Sequence, residues 1–186
     1  MATQHTASVI SGNYVDNCFI EWTNEQDAAP EYSNEYSFSA LSITGNIFLS
    51  GEVAPWFSYI VIKPHGVGHV INGLTINDNR FRSINGFIDR VERIDTSFAD
   101  MDYSKLRNIE MSGNSFHGIS NPVSNPVQVE HTQASPAQTW IVDIADRFPF
   151  GGWAIAVDSI VMDGPVRDAS NIAQHTTPYV MTDQGA

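Results

Sequence analysis

Three things are scarce in this sequence: cysteine, positive charge and long apolar runs. One cysteine, Cys18, occurs in 186 residues, so the chain forms no internal disulfide and no metal site built on several thiolates. A free cysteine most often serves as a small buried apolar residue, the role expected of Cys18. Nine basic residues face 21 acidic ones, a net charge of −12, and no lysine or arginine cluster is left to meet a phosphate backbone. Nucleic acid is thereby excluded as a partner. An anionic polysaccharide is repelled unless Ca²⁺ bridges it, which leaves open neutral glycans and Ca²⁺-bridged acidic ones; no other cofactor is implied. No stretch approaches the roughly 18 apolar residues of a membrane span, so no membrane insertion is expected. The start, MATQHTASV, has neither the basic beginning nor the apolar run of a signal peptide. Nucleophile-elbow, phosphate-loop and dinucleotide-binding glycine motifs are missing. His65 and His69 have a spacing that joins two imidazoles only on a helix, which Pro64, Gly66 and Gly68 forbid; a turn with exposed histidines is expected there.

What the sequence does have is a repeat. SVISGNYV at 8–15, LSITGNIF at 41–48, LTINDNRF at 74–81 and IEMSGNSF at 109–116 place Asn13, Asn46, Asn79 and Asn114 at intervals of 33, 33 and 35 residues. A near-constant period means one structural unit repeated. The unit is a strand, because the apolar positions alternate: Leu41 and Ile43, Leu74 and Ile76, Ile109 and Met111, with Phe48, Phe81 and Phe116 beyond the turn. Gly12, Gly45, Asp78 and Gly113 precede the asparagines, and these residue types enter the left-handed region at least cost, so the chain turns a corner there. Identical corners stacked at about 4.8 Å let side-chain amides bond from layer to layer as an asparagine ladder.

This [VLI]-x-[IM]-x-[GD]-N-x-[FV] corner, followed by a second apolar strand, resembles the right-handed parallel β-helix of the pectate-lyase-like superfamily. It is most similar to the C-terminal β-helix segments of phage tail-spike and tail-fibre proteins, including those of gene transfer agents. The expected fold is all-β: a right-handed parallel β-helix over residues 1–120 and a small C-terminal β appendage over 121–186. FIEW at 19–22, YIVI at 59–62 and GFID at 86–89 supply the next face of the coil. Such a coil needs capped ends, because an exposed terminal layer is an unpaired edge, so the chain is expected to be the distal piece of a longer protein. The resemblance implies a homotrimer in a phage-like particle, joined to other fibre or tail proteins through an upstream part and contacting cell-surface polysaccharide. Its localisation is then the virion tail, extracellular after release.

After residue 120 the pattern changes. The run 121–138 is rich in Pro, Asn and Ser and reads as a linker, and TWIVDIADRF and WAIAVDSIVM alternate around PFGG as a hairpin, with PYVMT at 178–182 a third strand. Trp140, Ile141, Phe148, Phe150, Trp153, Ile155, Val157 and Ile160 carry more apolar surface than three strands can bury alone.

The candidate chemistry is of two kinds. Glycoside hydrolysis needs two carboxyl groups facing one cleft. Phe19-Ile20-Glu21 matches Phe87-Ile88-Asp89, with Tyr59-Ile60-Val61 between them, so stacking in register sets Glu21 and Asp89 two layers, about 9.6 Å, apart, just beyond the inverting window. Glu92, Asp95, Asp100 and Asp102 are further acidic candidates, and no motif ties Arg82, Arg90, Arg93 or Arg107 to an acidic cluster as a lyase base. Sugar binding demands less: an aromatic platform flanked by carboxylates and amides, for which Trp22, Glu25, Asp27, Tyr32, Trp56 and Tyr103 are the candidates. Core or interface packing is the competing role for these aromatics. The order of readings is a non-catalytic receptor-binding fibre module, then a purely structural shaft, then a glycan depolymerase of the same fold.

Overall fold

The computed structural model describes residues 7–26 and 37–182, apart from the side chain of residue 145. The described residues contain eleven strands: β1 (Ser8–Ser11), β2 (Tyr14–Asp16), β3 (Ile20–Thr23), β4 (Ser37–Thr44), β5 (Ile47–Gly51), β6 (Ile60–Lys63), β7 (Val70–Asn77), β8 (Arg80–Ile84), β9 (Glu92–Ile94), β10 (Arg107–Glu110) and β11 (Ser115–His117). They form three parallel sheets: β1-β4-β7-β10, β2-β5-β8-β11 and β3-β6-β9. Consecutive strands fall in different sheets, so the chain coils as a parallel β-solenoid, all-β as expected, with three full coils and the start of a fourth.

The corners between the first and second sheets are the repeat. Gly12, Gly45, Asp78 and Gly113 all have positive φ, between 58° and 68°, and the asparagine after each turns inward. Asn46 Oδ1 accepts from the backbone N–H and from Nδ2 of Asn13, both at 3.0 Å. Asn79 Oδ1 does the same for Asn46 at 2.9 and 3.0 Å, and Asn114 Oδ1 for Asn79 at 2.9 and 3.1 Å. The second proton of each Nδ2 reaches a strand carbonyl: Ile10 from Asn46, Ile43 from Asn79, Ile76 from Asn114. Asn46 and Asn79 are fully buried and fully bonded, which is what makes a buried amide tolerable.

Alternation along each strand sends every second residue inward, and register stacks like on like. Ile10, Ile43 and Ile76 form one column, and Leu41, Leu74 and Ile109 another. Val15, Phe48, Phe81 and Phe116 form a third, with Phe48 and Phe81 rings 4.9 Å apart and Phe81 and Phe116 rings 5.7 Å apart, nearly parallel. Each such side chain removed from water contributes about 2 kcal/mol. A second row of positive φ crosses the first sheet at Ala40, Gly73 and Asn108, where Ser39, Asn72 and Arg107 are paired just before it and Leu41, Leu74 and Ile109 just after it. Only Gly73 adopts that φ without cost, so this bend is imposed by packing on either side.

The two ends differ. At the C-terminal end residues 119–126 close the coil: Ile119 bridges Ile88, Val123 is buried, and Met111 and Asn125 exchange two backbone bonds of 3.0 Å. At the other end β1, β2 and β3 are edge strands, and Val9 and Tyr14 are 70% and 59% exposed.

Residues 127–182 do not form the expected hairpin or third strand. PFGG folds into a 3₁₀ turn, Pro149–Gly151, after another at Ala145–Arg147, and the two runs around it form no strand and have no ladder partner among the described residues. Alternation says nothing of whether a second strand lies within reach. An isolated bridge, Arg167 with Ala173, is the only pairing described in this arm.

Candidate functional site

The loops that join the second sheet to the third are unequal, 17–19, 52–59 and 85–91, and they gather at one corner of the solenoid. Backbone bonds between layers hold them in place. Asn17 N–H donates to Leu49 O at 2.8 Å and Asn17 Oδ1 accepts from Gly51 N–H at 2.9 Å. Asp89 N–H donates to Pro55 O at 3.1 Å, and Asn121 N–H to Asp89 O at 2.9 Å. Beneath the corner the Tyr59 hydroxyl is clasped by Ser50 Oγ and Arg82 O, each at 2.6 Å; burial pushes its pKa up.

On the outside of this corner three aromatic rings come from three successive coils: Phe19, 47% exposed, Trp56, 70%, and Phe87, 68%. Phe19 rests edge-on against half-buried Phe57, centroids 6.2 Å apart. Asp89, next but one after Phe87, bonds through its carboxylate to Asn121 Nδ2 and sits one backbone bond from Pro55, the neighbour of Trp56. Exposed aromatic rings, a carboxylate and an amide therefore belong to this one corner. Of the expected sugar-binding residues, Trp56 is here; Phe19, Phe87 and Asn121 were not among them. Their signal was the loop position of two phenylalanines ahead of inward isoleucines, Ile20 and Ile88, which leaves the phenylalanines facing out.

The other expected residues lie elsewhere. Trp22 is half-buried and packs edge-on against the core residue Phe38, centroids 5.4 Å apart. Tyr103 also packs on the core, beside Gly151, with its pKa raised by burial and by Asp100. Glu25 is exposed and lies 4.0 Å from Lys63 Nζ, which sits over the Phe98 ring. Asp27 and Tyr32 lie outside the described residues. His65 and His69 are buried, not exposed: His69 Nε2 contacts the His65 carbonyl at 2.6 Å and the His65 ring stacks on Phe98. Cys18 is exposed, because its loop faces solvent at the corner.

Register also separates the expected carboxylate pair. Glu21 stacks on Val61 and then on Arg93, and the column beside it runs Ile20, Ile60, Glu92. The third layer of this sheet is thus Val91-Glu92-Arg93 and not Phe87-Ile88-Asp89, so Asp89 belongs to the corner and Glu21 to the sheet. The two earlier layers were aligned correctly; the error of four residues arose because the loops before β3, β6 and β9 differ in length.

Glu92 is the one inward-facing carboxylate of the column, and it is sealed. Its side chain has no exposure; Oε1 accepts from Arg90 Nη2 at 2.6 Å and from Phe150 N–H at 2.9 Å, and Arg90 donates onward to the carbonyls of Phe148 at 2.6 Å and Asp146 at 3.1 Å. Burial pushes the Glu92 carboxyl above its usual range, against the pull of Arg90. No substrate reaches this pair: it clamps the root of the C-terminal arm to the solenoid. The other ion pairs, Arg93 with Asp95 at 3.6 Å and Lys105 with Asp102 at 3.3 Å, are partly exposed. A serine hydroxyl beside each carboxylate, Ser97 and Ser104, is the largest influence lowering its pKa. Among the described residues no group of three or more His, Cys, Asp or Glu side chains is placed to hold a metal ion, and no helix is long and apolar enough to cross a membrane.

The class defined by this architecture is the parallel β-solenoid. Comparison of the chain with protein-family models, with curated proteins and with solved structures finds no match.

Proposed function

We propose that this chain is a receptor-binding module of a tail fibre or spike in a phage-like particle, a β-helix of the pectate-lyase-like kind that holds a cell-surface polysaccharide without cutting it. The observation that carries the reading is the corner where three successive coils each carry an exposed aromatic residue, Phe19, Trp56 and Phe87, together with Asp89 and Asn121. Successive rings along a solenoid axis offer successive apolar faces to the sugars of an extended chain, and the carboxylate and amide accept and donate hydroxyl bonds. A net charge of −12 favours a neutral glycan, bound without a cofactor. Against hydrolysis stands the separation of the candidate pair: Glu21 lies in another column than Asp89, and Glu92 is sealed. The exposed apolar arm supports assembly as a homotrimer on the virion.

The test is titration with neutral host-envelope polysaccharide, followed by tryptophan fluorescence and calorimetry. Trp56→Ala weakens binding by about tenfold or more, as expected for an aromatic hot spot, leaves the melting temperature unchanged, and no reducing ends appear. Undiminished binding in Trp56→Ala and Phe87→Ala contradicts the site; sugar release that disappears in Asp89→Asn replaces the binder with an enzyme.

A further inference from the structure

Two surfaces, the outward face of the second sheet and residues 155–163, are exposed and complement each other. The outward face of the second sheet carries the columns Tyr14, Ile47, Arg80, Ser115 and Asp16, Leu49, Arg82, His117. Tyr14 and Ile47 are 59% and 42% exposed, giving an apolar shelf that continues into two exposed arginines about 7 Å apart along one strand. In a chain this acidic, positive charge is normally answered: Lys63, Arg90, Arg93 and Lys105 pair with carboxylates, and Arg107 and Arg167 donate to backbone carbonyls. Arg80 and Arg82 have neither kind of partner among the described residues.

The second surface is the arm. Its root is clamped by Arg90 and Glu92, and from Gly152 to residue 162 it runs without helix or strand. Ile155, Val157, Ile160 and Val161 are 59%, 46%, 44% and 90% exposed, interrupted by Asp158 and Asp163. No backbone bond is made by residues 155–163 among the described residues. The arm's end turns back so that Tyr179 and Val180 face Val157 and Ile160 across an open cleft of about 330 Å³, without closing on them. An extended segment whose apolar side chains and peptide groups all face water is stable only against another surface.

We propose that the arm of one copy of this chain, residues 153–163, lies across the second-sheet face of another copy, its aliphatic side chains on Tyr14, Ile47 and Leu49 and its aspartates on Arg80 and Arg82. This rests on the assembly part of the proposed function, not on its glycan site. The complementarity is of charge and of apolarity together: an acidic, aliphatic strand meets the one sheet face that is both basic and apolar. An arm anchored at its own root and docked on a neighbour closes a ring of copies, since every copy supplies one arm and one face.

The experiment is sedimentation equilibrium on the full chain and two charge-reversed forms, Arg80→Glu with Arg82→Glu, and Asp158→Arg with Asp163→Arg. The unaltered chain associates at tens of micromolar. Each reversed form alone dissociates at concentrations roughly a hundredfold higher, because like charges then meet across the contact. An equimolar mixture of the two regains association as mixed pairs, since the arm of each form then meets a complementary face on the other, while any ring of three keeps one repulsive contact between copies of the same form. Association that ignores both reversals overturns the docking surface while leaving assembly intact; a monomer at all concentrations overturns assembly as well. Glycan binding at Trp56, measured on the same samples, is unaffected by either result.

Discussion

The solenoid and the arm are built from the same kind of sequence and end in opposite states. LSITGNIF and WAIAVDSIV both alternate apolar and small or polar residues, yet the first joins two four-stranded sheets with Ile43 fully buried and the second forms no strand and is largely exposed. The difference is the neighbour. Each coil presents the next with a strand at the right spacing and a corner asparagine in line, so backbone and side chain are satisfied together. The arm has no following repeat to pair with. Alternation therefore specifies which side chains share a face; repetition specifies what covers it.

The comparison is broken most severely at the ladder. Asn79→Ala strips Asn46 of the acceptor for its N–H and Nδ2 and removes the side-chain donor to the Ile43 carbonyl, at a cost of about 4 kcal/mol. Asn13→Ala, at the exposed end of the same ladder where nothing stacks above it, costs under about 1 kcal/mol. Urea unfolding of the two variants decides this; equal losses would mean that the ladder is decoration on a core held by its isoleucines and phenylalanines.

The junction between the two regions comes next. Arg90→Ala leaves Glu92 buried without its cation and frees the Phe148 carbonyl, destabilising by about 3 kcal/mol and raising proteolysis in 145–152 before the solenoid is attacked. A smaller effect of pH accompanies it. Burial holds the Glu92 pKa above its unfolded value, so the folded chain takes up that proton first, and stability conferred by the protonated group grows as pH falls and is lost as pH rises through the folded pKa. Relative to Glu92→Gln, which cannot titrate, the unaltered chain therefore gains stability as pH is lowered from neutral toward the ordinary glutamate range. Urea titrations of both proteins across that interval check the sign; a gain on raising the pH contradicts it.

Much of the solenoid was legible because its signals repeat. Asn13, Asn46, Asn79 and Asn114 with their preceding Gly or Asp gave the corner, and Phe48, Phe81 and Phe116 gave a core column. The third sheet was legible only in its first two layers, since unequal loops hid that Glu92, and not Ile88, stacks on Ile60. Glu92 could not be recognised as buried because its partners, Arg90 and the Phe150 amide, come from a sharp turn and from 58 residues downstream. Trp56 lies exposed at the corner while Trp22 packs against the core, a difference composition does not reveal because aromatic residues suit cores and sugar platforms alike. Phe19 and Phe87 were passed over in favour of the carboxylates that follow them.

The contrast between a self-sufficient solenoid and an arm completed by another copy is tested most directly by amide hydrogen exchange at two protein concentrations. The account predicts that β4, β5, β7 and β8 are protected equally in dilute and concentrated samples, and that residues 155–163 exchange freely when dilute and become protected when concentrated. Protection of the arm in the dilute monomer, or free exchange at every concentration, would contradict it.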